Sequence, residues 1–218
     1  MTVTTAAEEP DSEAATGYPR KRRQTRRRLL RAGTVVLVER GPAQVTAGQI
    51  AAAAGVAVGT FYNHFPSVDD FVDAVADDLS HGVEIGRDTL HDIEHDPSRR
   101  VAIGVLQLLE MADADPTAAS AFVTLAALRP DFRARIRAIV GQAINDGVEA
   151  QLFDVAVGPA AVNAVLGTAF QSMRSLVLGE TDPGEAQAVA RLVLRLLGVP
   201  AGEIDSVVAQ AAATLAAS

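Results

Sequence analysis

The chain has 218 residues, a formal net charge of −8, no cysteine and only 4% aromatic residues. That length can bury one large or two small cores, and the missing thiols exclude disulfides, thiolate metal sites and cysteine nucleophiles. Its longest apolar runs, such as "AFVTLAAL", fall well short of a membrane span. The acidic first residues lack the pattern of a signal peptide, so a soluble cytoplasmic protein with no membrane role is expected.

Residues 1–19 carry four acids and no base, with Pro10, Gly17 and Pro19 and no periodicity. A disordered tail is expected there. Residues 20–66 reverse the charge with nine bases and one acid, Glu39, whereas residues 67–218 hold ten bases and 22 acids. A basic segment in an acidic chain points to a polyanion partner. The alternative is a solvated basic face or an arm lying on the protein's own acidic surface.

Within that segment Leu29, Ala32, Val36 and Leu37 recur at helical spacing up to Gly41-Pro42. A second helix starts at Thr46, where Gln49 three residues on completes a capping box. Ile50, Ala51 and Ala54 form its inner face, and Gly55 is placed to end it in the left-handed conformation. A third helix is expected over about 58–65, stopped by Pro66. Its Val58, Phe61 and Phe65 share a side and are expected in the core, with Gly59, Thr60, Asn63 and His64 opposite and Tyr62 at the edge.

Ser67-Val68-Asp69-Asp70 then caps a helix carrying Phe71, Val72, Val75 and Leu79 inward. Further helices are expected over about 98–114, 117–128, 130–150, 159–179, 183–197 and 201–216. Pro159, Pro183 and Pro200 stand at first-turn positions, Asp182-Pro183-Gly184-Glu185 offers a cap, and Gly198 a stop. No alternating strand pattern appears, so the fold class is all-α. In 159–179, Val162, Val165, Leu166, Ala169, Met173 and Leu176 make one stripe beside the small Ala160, Ala164, Gly167 and Thr168. In 183–197, Val189, Val193 and Leu197 face one way, and Leu192 and Leu196 another. Helices apolar on more than one side are either fully internal or part of a subunit interface, and a homodimer through 159–179 and 183–197 is the expectation.

Thr46 to Phe65 has the outline of a helix-turn-helix, whose second helix enters the DNA major groove. "LLRAGTVVLVERG", followed by "VTAGQIAAAAGVAVGTFYNHF" and "FVDAV", resembles the N-terminal domain of TetR-family transcriptional regulators over about residues 25–75. The resemblance implies an N-terminal three-helix DNA-binding domain with a basic arm (20–66) and a C-terminal helical ligand-binding and dimerisation domain (67–218). It also implies DNA contacts, mostly to phosphates, from Gly59, Thr60, Tyr62 and His64. Thr46 and Gln49 fall beside the DNA backbone, and Asn63 falls where a side chain can meet a base edge. Their chemistry agrees: a glycine admits a phosphate, hydroxyls donate, and an asparagine can pair bidentately with adenine. The recognition helix has no Arg or Lys. The electrostatic part of DNA affinity is therefore assigned to the arm, with Arg22, Arg23, Arg26 and Arg27 as contacts. Three residues depart from the family pattern: Val68 replaces a phosphate-binding lysine, Ala57 a serine cap, and Gly33 an alanine.

The resemblance further implies a homodimeric repressor released from a near-palindromic double-stranded operator by a small molecule, here an apolar, neutral or cationic effector. Candidate ligand contacts are Leu108, Met111, Phe122, Leu125, Phe170 and Met173, with Gln107, Asn163, Gln171 and Arg174 as polar groups. For each, plain packing or solvent exposure competes with ligand contact. The alternatives are a DNA-binding regulator without small-molecule input, and an all-helical enzyme or metal protein with a basic arm. "HDIEH" (91–95) matches a zinc-peptidase pattern with His91 and His95 as ligands and Glu94 as base, but Asp96-Pro97 ends any helix there. No catalytic triad, phosphate-cradling loop or dinucleotide fingerprint occurs, so no enzyme, cofactor or metal is expected.

Overall fold

The computed structural model describes residues 12–89, 96–181 and 184–217, and every regular element among them is helical. In chain order these are α1 (Ser12–Arg40), α2 (Ala47–Ala53), α3 (Val58–Tyr62), α4 (Val68–Thr89) and α5 (Pro97–Ala114). They continue with α6 (Pro116–Leu128), α7 (Pro130–Glu149), α8 (Pro159–Val177), α9 (Ala186–Leu196) and α10 (Ala201–Ala216). α1 begins at Ser12, within the segment 1–19 expected as a tail. Residues 1–11 lie outside the described residues, as do His91, Glu94, His95, Asp182 and Pro183.

The first three helices form a small head. Leu29, Val36 and Leu37 of α1 are buried against Ile50, Ala51 and Ala54 of α2. The capping box is present: the Gln49 N–H donates to Thr46 Oγ1 at 3.3 Å, and the Thr46 N–H donates to Gln49 Oε1 at 3.0 Å. Gly55 turns the chain at φ +61°, which costs a glycine little and other residues more. Phe61, Phe65 and Phe71 meet in the centre, with ring centroids 5.3 to 6.0 Å apart. Gly33 lets α1 approach this cluster, because a Cβ there would come within 2.3 Å of Phe71 Cζ.

α4 leads out of the head. Ser67 caps it as expected, accepting from the Asp70 N–H at 3.1 Å and donating to Asp70 Oδ2 at 2.6 Å. Phe71, Val72, Val75 and Leu79 point inward. The remaining helices pack around α5, which touches α6, α7, α8, α9 and α10. Asp96 caps α5 by accepting from the Ser98 and Arg99 N–H groups, and Asp115 caps α6 through the Ala118 N–H. α9 starts at Ala186, past the proline expected to open it.

Two arginines of the α6–α7 junction and α7 hold α4. Arg129 bridges Asp69 at 3.3 Å and Asp73 at 2.5 Å, and Arg135 reaches Asp77 at 2.8 Å. Between them Phe132 is buried. The three aspartates stand four residues apart, so they form one row along α4.

Candidate DNA interface and ligand cavity

The exposed end of the head is built from α3 and the turn after it. α3 ends at Tyr62 with Asn63 as its C-cap, three residues short of the expected end. The residue before a proline avoids helical conformation, so Phe65 cannot extend the helix into Pro66. Phe61 and Phe65 are buried as expected, but Val58 is 45% exposed. Helical period assigns Val58 the same face, yet side chains lean toward the helix N-terminus, and at the first position nothing lies there to cover it. Ala57 precedes α3 without any side-chain cap.

Opposite the phenylalanines, Gly59 and Asn63 are exposed and Thr60 and His64 half-buried. Tyr62 is 54% exposed and meets Phe61 edge-on at 5.4 Å. Thr46 and Gln49 stand at the start of α2, each engaged by the other's backbone through the capping box. His64 Nδ1 is buried and has no partner among the described residues. Burial first, then the charges of Arg22 and Arg26, hold the His64 pKa below that of a free histidine, favouring neutral imidazole.

The arm is therefore not simply upstream of the recognition helix. It is helical, and it reaches the residues just after α3: Arg26 sits 4.9 Å over the Phe65 ring, and the charge of Arg22 helps to lower the His64 pKa. Arg23 and Arg27 take another face, sharing a groove with Arg20, Arg28 and Arg31. Arg28 has a structural task that sequence reading missed. Its Nε donates to the Ala54 carbonyl at 2.9 Å and its Nη2 to the Gly55 carbonyl at 3.0 Å, closing the end of α2.

In the larger domain a cavity of about 120 Å³ lies between α5, α6, α7 and α8. Of the candidate ligand contacts, Leu108, Phe122 and Phe170 line it. The other seven ligand candidates do not. Leu125 and Met173 are fully buried elsewhere in the core, Gln107 and Met111 are half-buried, and Gln171 and Arg174 are exposed, as is Asn163. These residues sit on helices that line the cavity but on other faces, and α7 supplies much of the wall instead. That helix contributes Ile136, Ile139, Val140, Ala143 and Ile144, and no part in a ligand site was expected of it. Among the described residues Arg100 is the one charged residue in the lining. Arg100, Gly104 and Leu108 stand four apart on α5, a spacing that could have marked one face in the sequence.

Arg100 donates through Nη2 to Asp146 Oδ2 at 2.6 Å, and Gln142 donates to Asp146 Oδ1 at 2.7 Å. Burial pushes the Asp146 carboxyl up, but the hydrogen bonds from Gln142 and Arg100 and the Arg100 charge outweigh it and hold the pKa below the usual value. On the outside of the domain Leu192 and Leu196 of α9 are 48% and 43% exposed. On α8, Ala160, Ala164 and Gly167 are exposed too. No group of three or more His, Asp or Glu side chains that could hold a metal occurs among the described residues, and no described helix is long and apolar enough to cross a membrane.

Residues 29–75 match the family model described as bacterial regulatory proteins, tetR family. Solved structures similar to the chain include RolR in complex with its ligand resorcinol, at 25% identity and a TM-score of 0.60, covering 87% of this chain and 95% of that one. A gamma-butyrolactone receptor (ArpA-like protein) aligns at 20% identity and a TM-score of 0.67, covering 88% and 96%. AmtR of Mycobacterium smegmatis aligns at 20% identity and 0.65, covering 86% and 92%. The last two likenesses concern the fold alone. No curated protein matches the chain.

Proposed function

We propose that the chain, whose residues 29–75 match the tetR family of bacterial regulatory proteins, is a homodimeric repressor released from a near-palindromic operator by a small molecule. The supporting observation is that the exposed polar end of the head, with Arg26 over Phe65 just after α3, shares one packed molecule with an apolar cavity. In this reading residues 20–66 form the DNA-binding unit and 67–218 the ligand and dimer unit. Gly59 admits a phosphate, Thr60 and Tyr62 donate hydroxyl hydrogen bonds, and His64 and Asn63 face phosphate and base edge respectively. Thr46 and Gln49 lie beside the DNA backbone. Arg22, Arg23, Arg26 and Arg27 supply charge on two faces of α1, so the arm contacts phosphates on both sides of the groove that α3 enters.

The cavity is linked to the head through α7. Its middle lines the cavity while Arg135 and the preceding Arg129 grip α4, which starts six residues after α3 ends. A ligand that wedges α7 away from α5 also pulls on α4. It releases DNA if it binds that arrangement better than the DNA-competent one. RolR, whose structure holds resorcinol, supports a small-molecule input for this architecture.

Selection of duplexes from a random pool by the full chain tests the reading. The expected product is an inverted repeat with half-sites about one helical turn, 34–36 Å, apart or slightly more. Titrating small molecules into that complex should then release the DNA. An asymmetric single site would overturn the dimeric repressor. A palindrome that no small molecule loosens would instead favour a constitutive or partner-controlled regulator, with no catalytic activity in either case.

A further inference from the structure

We propose that the basic N-terminal end of α1 reaches past the head and, through Arg20 and Lys21, holds phosphates of the duplex DNA that flanks the half-site. This rests on the DNA-binding reading above and lengthens its operator without adding to the sequence read.

The first observation is where α1 leaves the head. Its buried residues begin at Leu29, whereas Arg20, Lys21, Arg22, Arg23 and Gln24 are all exposed. The helix nevertheless continues back to Ser12. At a rise of about 1.5 Å per residue, 12–24 form a rod of about 20 Å, the length of roughly six base pairs. Helical structure also fixes the direction of each cation, so the four from Arg20 to Arg23 cannot all gather on the half-site.

The second observation is how those cations are divided. Successive residues turn by about 100°, so Arg20 and Arg22 stand on opposite sides of the helix. Arg22 belongs, with Arg26, to the side of His64 and Phe65 just after α3. Arg20 shares another face with Arg23 and Arg27, and Lys21 lies between the two sides. An α-helix with its side chains is about 10–12 Å thick, so cations on opposite faces meet different phosphates. The half-site takes the Arg22 side, which leaves Arg20 and Lys21 for the duplex beyond it.

The third observation is that these charges are free. Among the described residues the side chains of Arg20, Lys21 and Arg23 have no ion pair, whereas Arg28 is held by the carbonyls that end α2. The groove that Arg20 and Arg23 border has no acid in its lining. Asp78 and Asp115 stand farther along α1, in a groove with Arg27 and Arg31, and no ion pair crosses that groove either. Unpaired cations on a chain of net charge −8 are placed for an outside polyanion, and the DNA already at α3 is the one within reach.

Fluorescence anisotropy of the full chain on two duplexes tests this. One is the selected inverted repeat cut at its outermost fixed base pairs. The other carries about ten random base pairs more on each side, longer than the rod. The flanked duplex should bind tighter, with a log–log salt slope steeper by about 3.6, or about 0.9 for each of two cations in two heads. Between 50 and 200 mM salt that is an additional loss of about a hundredfold. The Arg20→Gln/Lys21→Gln variant should keep native helicity by circular dichroism, bind the trimmed duplex as the native chain does, and gain nothing from the flanks. Measuring both proteins on both duplexes cancels the effect of duplex ends. A native salt slope for the variant on the flanked duplex overturns the proposal, as does equal weakening on both duplexes. Tighter binding by the variant also overturns it, because the cations would then serve the chain's own acids. An asymmetric selected site ends the dimeric reading alone; the same comparison on that site still decides the flanking contact, with half the slope difference expected.

Discussion

An alanine methyl at Gly33 would lie 2.3 Å from Phe71 Cζ and 2.9 Å from Ile50 Cγ2. On helix propensity alone Gly33→Ala should stabilise α1 by about 1 kcal/mol. The contact reverses the sign, since forcing a methyl into a packed aromatic cluster costs about 1–3 kcal/mol. Urea unfolding should therefore show Gly33→Ala less stable than the native chain, and a more stable variant would refute the packing. His64 offers a second test. Its pKa is held down by burial and by Arg22 and Arg26 in the free protein, so the unfolded chain binds a proton more readily. Stability from this residue is present above the ordinary histidine range and is lost as pH falls through it. A phosphate beside His64 acts the opposite way and raises the pKa in the complex. DNA affinity, measured by fluorescence anisotropy at fixed salt, should then rise as pH falls from 7.5 to 6 more steeply for the native chain than for His64→Gln. Parallel pH profiles would remove His64 from the phosphate contacts.

At the scale of helices, features decided by a few neighbouring residues were readable in advance. The Thr46–Gln49 capping box and the Ser67 cap depend on side chains reaching backbone groups three residues away, and the Gly55 turn on the lack of a Cβ at positive φ. Ala57 belongs here as well: α3 has no side-chain cap, and Ala57→Ser should raise stability by about 1 kcal/mol in the same urea experiment. What depends on a facing element was not readable. Periodicity gave Val58 a side but not the absence of a neighbour, and it gave the ligand candidates their helices but not the face turned to the cavity. Arg100 was missed because its role arises only when α5 meets Asp146 of α7. The grip of Arg129 and Arg135 on α4 belongs to the same class. Such exposed bridges add little stability, at most about 1 kcal/mol each. The Arg129→Gln/Arg135→Gln double variant should therefore unfold at nearly the native midpoint. Its DNA affinity should nonetheless respond about five-fold less to a bound ligand, as expected when a coupling contact is cut. An unchanged ligand response would place the coupling elsewhere, with α6 against α1 as the next candidate.

A monomer of this shape presents one short recognition helix, and five helical residues cannot read enough base pairs for specific control. The outer surface supplies a remedy. Leu192 and Leu196 stand one turn apart on α9 and nearly half exposed, although their neighbours Val189, Val193 and Leu197 are buried. Ala160, Ala164 and Gly167 leave the exposed side of α8 nearly flat, so a second copy's helices can approach closely. An exposed apolar strip of this kind destabilises nothing in a monomer but favours self-association on a two-fold axis. The strip is also remote in sequence from α3 and Arg22, so charging it leaves the groups proposed to contact DNA untouched. The double variant Leu192→Glu/Leu196→Glu should therefore sediment as a monomer while keeping native helicity and a cooperative thermal transition. Its affinity for the selected inverted repeat should fall at least a hundredfold, because two weakly held heads no longer bind as one body. Its affinity for an isolated half-site should equal that of one native head. A variant that stays dimeric would move the interface to another surface, and a monomer that still binds the full repeat at native affinity would refute paired recognition.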